Sequence, residues 1–409
     1  MLENDVTIIG AGPAGISAGI FLAQKNIPFT ILERNQFPRD KICGDCLGGY
    51  ALSVLKQMGD GIFERFIKND IKMIGSGVHF FGPEHQKISI EAVNTISRNV
   101  REVALCRRFD FDNFLMKELI KYRNANILEN KKVVDFRRRN GHIEILDSDD
   151  SIIKTKLVIL ATGSQHALVH KIHHAPKHKK YIAAGIRSYF EGIEGLAPEG
   201  YIELHFLREL APGYLWIFPL PGNQANVGLG LRSDMLNKRK ISLKQLFEYY
   251  IKEDPYFKKR FKSAKPVSET AGFPLALGGK KRQISGDRFL LAGDSANLIE
   301  PLFGEGIGHA MYSGKFAAEH AVRCLTENNF SSDFNTRYDR EVYGKLGPTL
   351  KFSGMMQKVA MYPRLMSLLF NRVNNNDGLQ HQLFQIINGQ IPKKRWQGME
   401  FIMKMIFNF

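Results

Sequence analysis

The chain has 409 residues, 44% of them hydrophobic, 11% aromatic and 24% charged, which excludes a disordered, collagen-like or disulfide-scaffold protein. Lys and Arg outnumber Asp and Glu by 57 to 41, and the net charge of +16 favours partners that carry phosphates or other anions. This length predicts two cooperating domains or one domain with a large insertion. We expect a cytoplasmic protein. A spanning helix is not expected because no apolar run reaches about 18 residues, and an export signal is not expected because acidic residues stand where a signal peptide has its basic n-region.

The first elements are predicted to be a strand at 6–9, a glycine-rich turn and a helix. The turn reads Gly10-Ala11-Gly12-Pro13-Ala14-Gly15. Gly10 permits the turn, Gly12 admits a pyrophosphate and Gly15 allows the helix to pack on the strand. A second strand, 29–32, ends in Glu33, which suits the ribose hydroxyls of an adenosine. We therefore predict a dinucleotide site, with a purely structural glycine turn as the alternative.

A second strand, turn and helix are predicted far downstream. The apolar run from Phe289 ends in Gly293-Asp294, and the turn that contains Gly304 and Gly306 precedes a helix rich in small residues. Asp294 at the carboxyl edge of a sheet could hold a sugar-like hydroxyl, and the glycines would bring backbone N–H groups to the electron-rich edge of a ring. An ordinary turn with an N-capping Asp is the alternative.

These segments together resemble the FAD-dependent p-hydroxybenzoate hydroxylase superfamily and, within it, the geranylgeranyl reductase family. The matching motifs are Gly10 to Gly15 with Glu33, the segment 37–45 (FPRDKICGD), the segment 108–112 (RFDFD), the segment 213–219 (GYLWIFP) and the segment 286–306. The resemblance implies an α/β fold of the GR2 type. In it a Rossmann-like FAD-binding domain is interleaved with a mainly antiparallel β substrate domain and followed by a helical C-terminal region.

The resemblance also implies the domain limits. We expect the FAD-binding domain over 1–60, 98–178 and 270–330, the substrate-binding domain over 61–97 and 179–269, and the helical region over 331–409. Local patterns agree with this division, because Asn140-Gly141 is a strong hairpin signal within a predicted β-meander at 132–161. Residues 182–233 alternate apolar and polar, as a half-buried antiparallel sheet does.

By the resemblance, Glu33 holds the adenosine ribose, Arg108 the phosphate or ribityl region, Asp294 the ribityl chain and the backbone from Gly304 to Gly306 the flavin ring. The expected cofactor-binding residues are Gly10, Gly12, Pro13, Ala14, Gly15, Glu33, Arg34, Arg39, Cys43, Gly44, Arg108, Gly293, Asp294, Pro301, Gly304, Gly306 and Ile307. Tyr214, Trp216, Phe218 and Phe303 are expected to line an apolar substrate cavity.

The implied activity is the reduction of carbon–carbon double bonds in an isoprenoid or other long apolar substrate by hydride transfer from flavin N5. A flavin monooxygenase that hydroxylates an aromatic or lipid is the alternative on the same fold, and a non-catalytic flavin-binding protein is a third reading. Electrons would come from NAD(P)H or a reduced carrier protein. Thr162 replaces the Asp of the superfamily's mid-chain Asp-Gly motif, so we expect direct reduction by NADPH to be slow.

Cys43 and Cys46 have CxxC spacing without the strand and helix context of a thioredoxin-like pair, and no second pair completes a zinc site. By the resemblance Cys43 lies beside the flavin, and it is the candidate catalytic residue for proton delivery. Inert packing and a regulatory disulfide remain alternatives.

Two basic segments carry weaker signals. The tract 166–180 holds five His and four Lys; we interpret it as a solvated loop, with an anion site as the alternative, and we expect no metal centre. The end of the chain joins Lys393, Lys394, Arg395 and Trp396 to a Met- and Phe-rich stretch. This pattern fits either an interfacial segment on an anionic membrane surface or a docked terminal helix. No recognition module for nucleic acid is present in the sequence, so we expect none to bind.

Overall fold

The computed structural model describes residues 2–91, 103–164, 166–173 and 181–381. In these ranges the strands are β1 Leu2–Ile9, β2 Phe29–Leu32, β3 Cys46–Leu47, β4 Lys72–Gly75, β5 Gly77–Phe81, β6 Lys87–Glu91, β7 Val103–Cys106, β8 Ala125–Leu128, β9 Val133–Arg139, β10 His142–Asp147, β11 Ile152–Leu160, β12 Ile182–Glu191, β13 Tyr201–His205, β14 Tyr214–Leu220, β15 Gln224–Arg232, β16 Lys265–Pro266, β17 Ala271–Ala276, β18 Ser285–Gly286 and β19 Phe289–Leu291. The α-helices are α1 Pro13–Gln24, α2 Gly49–Gln57, α3 Ile62–Lys68, α4 Arg108–Leu119, α5 His166–Ile172, α6 Ser233–Arg239, α7 Leu243–Lys252, α8 Pro255–Arg260, α9 Ile307–Thr326, α10 Ser332–Val359 and α11 Pro363–Asn374.

The first sheet has the strand order β18-β19-β11-β1-β2-β8. Its central strands are parallel, with β1 between β11 and β2. Most of their side chains are apolar and they are buried on both faces, as the consecutive residues Val158 and Ile159 show, because helices cover such sheets on both sides. The strands β9 and β10 form the predicted hairpin across Asn140-Gly141, with Arg139 opposite His142, and β10 joins the edge of β11. The β-meander prediction is confirmed.

The second sheet is mostly antiparallel. Its order is β16-β12-β15-β14-β13-β5-β6, and β17 also pairs with β12. Only β13 and β5 run parallel within the part of this sheet that the structure describes. A third, three-stranded sheet, β3-β7-β4, lies apart from both. The expected combination of a Rossmann-type domain, a mainly antiparallel domain and a helical C-terminal region is confirmed.

Several elements cross the predicted domain limits. The exact boundaries of the domains stay a prediction. The strand β17, assigned to the FAD-binding segments, pairs antiparallel with β12 in the second sheet. The helix α3, assigned to the substrate domain, packs Ile62 and Phe66 into the core of the first sheet. The helix α10 contributes Tyr338 to that core and Phe352 to the core of the second sheet. Long-range packing decides which sheet each of these elements joins. Residue patterns along the chain contain little information about that packing.

None of the described helices combines the length and apolar character that crossing a bilayer requires. The basic and apolar segment predicted at 393–409 lies outside the described residues. In the basic tract, 166–172 is the helix α5, where we had expected a loop, and 174–180 lies outside the described residues.

Candidate active site

A cavity of about 730 Å³ lies between the two main sheets. One wall is formed by the residues at the carboxyl ends of the parallel strands β1, β2, β11 and β19. This is the edge at which α/β sheets bind their ligands. The opposite wall comes from β5, β12, β13 and β14 of the second sheet. The cavity therefore joins the predicted nucleotide fold to the predicted substrate domain.

The first glycine turn has the geometry that a pyrophosphate needs. Gly10 has a φ of 98°, and a Cβ there would stand 2.5 Å from the Ala161 carbonyl oxygen. A Cβ on Gly15 would overlap the Gly10 carbonyl, so Gly15 sets the close packing of helix on strand. At Gly12 the nearest atom to an added Cβ is an Arg39 nitrogen at 4.0 Å, which leaves room for a ligand. The helix α1 begins at Pro13 without a side-chain cap, so its first N–H groups are available to phosphate oxygens.

Glu33 lies at the end of β2 and is 4% exposed. Its carboxylate accepts hydrogen bonds from the N–H groups of Ala11 at 2.8 Å and Asn35 at 3.0 Å. These bonds fix the carboxylate at the cavity wall. A carboxylate oxygen accepts more than one hydrogen bond, so Glu33 can also bind ribose hydroxyls.

Two arginines are held at the cavity by one buried carboxylate. Asp112 accepts from Arg108 through Nε and Nη2, both at 2.7 Å, and from Arg39 Nη1 at 2.9 Å. Arg39 also donates to the Ala11 carbonyl at 3.1 Å. A bidentate ion pair fixes the plane of a guanidinium, so both cations are positioned before any ligand arrives. This places positive charge beside the uncapped end of α1, which suits a pyrophosphate.

The second glycine turn faces the first. Asp294 lines the cavity and accepts a 3.0 Å hydrogen bond from the Ser164 hydroxyl. Gly304 has a φ of 69°, and the helix α9 begins after Gly306 without a side-chain cap. The free N–H groups of α9 therefore point toward the same cavity as those of α1. One dinucleotide with an electron-rich ring can occupy both.

The loop that carries Cys43 runs between these two turns. The Cys43 side chain interacts with the Arg108 guanidinium, and its charge also acts on Lys41. Lys41 Nζ lies 3.0 Å from the centre of the Phe273 ring. Burial lowers the pKa of Lys41 to about 8, although the nearby charge of Asp294 opposes this change. The four described cysteines, including Cys43 and Cys46, are free thiols.

Behind this loop lies a buried polar network that the sequence did not reveal. Asp45 is 0% exposed and accepts hydrogen bonds from Tyr189 Oη at 2.7 Å, Asn226 Nδ2 at 2.8 Å and the Arg108 N–H at 3.1 Å. Asn226 in turn accepts from Trp216 Nε1 at 2.8 Å and donates to the Cys43 carbonyl at 2.7 Å. Burial raises the pKa of Asp45 to about 6. The network fixes the loop to the second sheet.

The apolar end of the cavity is lined by aromatic and aliphatic side chains of the second sheet, of the turn before α9 and of α10. We call it the substrate compartment; its apolar lining residues are Val78, Phe80, Ile202, Leu204, Tyr214, Trp216, Phe218, Leu302, Phe303, Phe352 and Met356. Trp216 fits because its partner across the strands, Gly228, has no side chain. The Tyr214 hydroxyl donates to the Phe303 carbonyl, and Phe303 itself is 39% exposed.

Two carboxyl groups stand in this otherwise apolar end. Glu300 is 2% exposed, lines the cavity, and has an Oε1 without a hydrogen-bond partner among the described residues. Burial raises the pKa of Glu300 to about 7, and the charge of Glu305 adds to this effect. Glu300 is not among the site residues predicted from the sequence, although it directly precedes the predicted Pro301 in the matching segment 286–306.

All the sequence-predicted site residues line the cavity except Gly15 and Pro301. Gly15 supports the turn from behind, and the Pro301 carbonyl accepts a hydrogen bond from Gln357 on α10 instead. Lys171 of the basic tract lines the cavity near the first glycine turn, with Lys131 and Lys132. Within the described ranges, no group of three or more His, Cys, Asp or Glu side chains is arranged to hold a metal ion.

Two family models match the chain. Residues 182–273 match the geranylgeranyl reductase catalytic domain, and residues 4–184 match the pyridine nucleotide-disulphide oxidoreductase family. The geranylgeranyl reductase match falls on the second sheet. The pyridine nucleotide-disulphide oxidoreductase match falls on the first glycine turn and its neighbouring strands. The resemblance inferred from the sequence motifs is confirmed.

Curated relatives cover most of the chain at low identity. A digeranylgeranylglycerophospholipid reductase of Methanocaldococcus jannaschii is 27% identical over 366 residues, which is 87% of this chain and 87% of that protein. A menaquinone reductase of Mycobacterium tuberculosis is 27% identical over 77% of this chain and 76% of its own. A conditioned medium factor receptor 1 of Dictyostelium discoideum is 26% identical over 86% of this chain and 70% of its own.

Solved structures share the fold. A geranylgeranyl bacteriochlorophyll reductase-like protein of Thermoplasma acidophilum superposes with a TM-score of 0.76 at 20% identity, over 99% of this chain and 96% of that one. The halogenase PltM in complex with FAD superposes with a TM-score of 0.72 at 17% identity, over 96% and 85% of the two chains. The two uncapped helix ends, the open Gly12 and the acids Glu33 and Asp294 fit a dinucleotide cofactor such as FAD.

Proposed function

We propose that this FAD-dependent oxidoreductase of the geranylgeranyl reductase type reduces carbon–carbon double bonds in the isoprenoid chain of a lipid or quinone. The observation that carries the proposal is the continuity of one cavity, in which the cofactor turns open directly onto an aromatic and aliphatic compartment. Reductases of digeranylgeranylglycerophospholipids and of menaquinone are among the relatives, and both names refer to substrates with isoprenoid chains.

The residues proposed to hold FAD divide by its parts. Glu33 would bind the adenosine ribose, the N–H groups at Ala14 and Gly15 with Arg39 the pyrophosphate, Asp294 the ribityl hydroxyls, and the backbone at 304–307 the flavin ring. Reduced FAD bound there would supply a hydride from N5. The chain's own contribution is to hold both reactants against each other and to keep water from the reacting carbons.

The substrate compartment fits an uncharged hydrocarbon. Its only ionisable side chains among the described lining residues are Glu300, Glu305 and Tyr214, together with Cys46, whose pKa burial raises well above its usual value. The lysines and arginines of the cavity lie at its cofactor end, on the loop 39–41, at Arg108, at Arg187 and around the first turn. A long apolar chain would therefore enter tail first, with an anionic headgroup outside.

Cys43 is proposed to deliver or relay the proton that the reaction consumes. Support comes from its position in the cavity wall between the two glycine turns, beside Arg108. An isolated alkene accepts hydride poorly, so a positioned acid is required to complete the addition.

The electron donor is proposed to be a reduced carrier protein or, more slowly, NAD(P)H. Thr162 stands where relatives carry an Asp, and its hydroxyl lies 3.1 Å from that of Ser295. Association with an anionic membrane surface is also proposed, on the composition of the segment 393–409.

The experiment that tests the function uses the purified holoprotein, reduced anaerobically with dithionite and mixed with geranylgeranyl-chain lipids or menaquinone in detergent. We expect mass spectrometry to show products that have gained two hydrogens per reduced double bond. Substrate-dependent consumption of oxygen with a hydroxylated product would instead establish the monooxygenase. Stoichiometric flavin reduction without any product from either lipid class would contradict catalysis on isoprenoids.

A further inference from the structure

Glu300 is a buried carboxyl group that none of the roles above uses. It is 2% exposed, and its Oε1 has no hydrogen-bond partner in the described part of the chain. Its Oε2 accepts a hydrogen bond from the Phe303 N–H, which fixes the carboxyl against the turn before α9. Leaving a buried carboxylate oxygen unpaired is costly, whereas a carboxylic acid can carry its proton there.

The largest effects on the Glu300 carboxyl that come from the described residues include no cation. Glu305 from the same turn repels a negative charge at Glu300, and burial does the same. The Ser353 side chain of α10 and the N–H groups of Leu302 and Phe303 favour the carboxylate, but they do not cancel these effects. The pKa of Glu300 is consequently raised to about 7, so a large share of the molecules keep this proton at neutral pH.

The position of Glu300 connects the two ends of the cavity. Glu300, Cys43 and Tyr214 all line the cavity, and both Glu300 and Cys43 lie near enough to the Tyr214 hydroxyl to interact with it electrostatically. Tyr214, Leu302 and Phe303 belong to the apolar lining, whereas Cys43 lies beside Arg108 at the cofactor end. A substrate in the apolar end is therefore adjacent to Glu300.

We propose that Glu300 is a catalytic acid, which gives its proton to the alkene carbon that does not receive the hydride. The inference rests on the proposed function. In the step the alkene π bond breaks, one carbon gains the hydride with two electrons from the reduced flavin, and the other gains the proton through a new C–H bond. Glu300 is left as a carboxylate and takes up a proton again from solvent, for which Tyr214 and Cys43 offer a relay.

The test compares wild type with Glu300→Gln, which keeps the shape and the contact with the Phe303 N–H but has no acidic proton. Flavin content and dithionite reduction should be unchanged, while alkene reduction should slow by a factor of about 100 to 10,000. In wild type the rate should fall as pH rises through about 7, because the acid is then deprotonated. Glu300→Asp, which keeps a carboxyl one methylene further back, should retain a pH-dependent residual rate.

A readout without turnover is the infrared band of a protonated carboxyl in the flavin-free protein. Wild type should show a component of this band that disappears as pH rises through about 7, and Glu300→Gln should lack that component while keeping the one from Asp45, which titrates near 6. The matched control is Asp339→Asn on α10, a buried carboxyl that does not line the cavity; it should keep both this band and full activity.

The outcomes separate the two ideas. If wild type reduces isoprenoids and Glu300→Gln reduces them at the same rate, the role of Glu300 is wrong and the proposed function stands. If wild type reduces no isoprenoid chain, the function fails, whether or not the band is present. A band unchanged in Glu300→Gln overturns the protonated Glu300 in either case. If Glu300→Gln loses flavin, Glu300→Asp and the infrared titration still decide.

Discussion

Gly314 on α9 lies against the Ala14 carbonyl on α1, so closely that a Cβ on Gly314 would overlap that oxygen. This contact brings together the two helices whose uncapped N-termini face the cavity. The spacing between the phosphate-binding and ring-binding turns is therefore set by backbone packing between the first turn of α1 and a point about two turns into α9.

Gly314→Ala should accordingly separate the two helix ends. Overpacking of this kind costs about 1–3 kcal/mol of unfolding free energy, and we expect a lower flavin content at purification. Calorimetry and the absorbance ratio of flavin to protein measure the two effects. Gly344→Ala is the matched control, because no atom lies within 4 Å of a Cβ placed there on α10. Equal stability and flavin content in both variants would contradict this role of the contact.

Gly12→Val should abolish FAD binding with little change in fold. The space around Gly12 is free of protein atoms up to Arg39 at 4.0 Å, and we assign it to the pyrophosphate. A branched side chain would fill it. Visible absorbance of the purified protein is the measurement, with Gly347→Val on α10 as control. A yellow Gly12→Val protein with wild-type flavin content would show that the pyrophosphate lies elsewhere.

Asp45 should make the protein less stable as pH rises from about 4 to about 6. Burial raises its pKa to about 6 in the folded state, against about 3.9 in an unfolded chain. The folded state thus holds the proton more tightly, so its stabilising contribution is complete below about pH 4 and lost above about pH 6. The change amounts to about 3 kcal/mol.

Asp45→Asn removes this proton, so chemical denaturation at a series of pH values should show a steeper loss of stability between about pH 4 and pH 6 in wild type than in Asp45→Asn. The control Asp150→Asn removes a negative charge from the exposed turn before β11 and should leave the trend intact. An identical pH profile in wild type and Asp45→Asn would refute the assignment.

Cys43→Ser should retain FAD and accept electrons from dithionite, yet reduce the alkene more slowly by a factor of about 100 to 10,000 if the thiol delivers or relays a proton. Single-turnover kinetics measure this step apart from substrate binding. Cys324→Ser is the control, since Cys324 is buried outside the cavity against Asn335. If Cys43→Ser reduces the alkene at the wild-type rate, Cys43 is only a packing residue.

NADPH should reduce the bound flavin slowly, because Thr162 stands where the resemblance to the superfamily implies an Asp. Anaerobic stopped-flow absorbance of the flavin is the measurement, with dithionite as the reference reductant. Fast, saturable reduction at micromolar NADPH would show that the nicotinamide binds without this Asp. Recovery of fast reduction in Thr162→Asp would support the expectation.

The local sequence was sufficient for the parts of the site that depend on backbone geometry. Strand, glycine turn and helix follow each other within about 30 residues, and Gly10 and Gly15 are each required by a close backbone contact. The acids Glu33 and Asp294 were found because a strand that ends in a carboxylate places it at one edge of the sheet. Periodicity likewise determined the hairpin at Asn140-Gly141 and the antiparallel second sheet.

Only the tertiary structure decided what surrounds each polar group. Glu300 and Asp45 are ordinary acids in the sequence, and their pKa values rise because elements distant in the chain, including β12 and α10, remove them from water. The same holds for Arg39 and Arg108, which become a fixed pair only through Asp112, and for β17, which pairs with β12. Desolvation and long-range pairing depend on every neighbour in space at once, and a one-dimensional pattern does not contain that information.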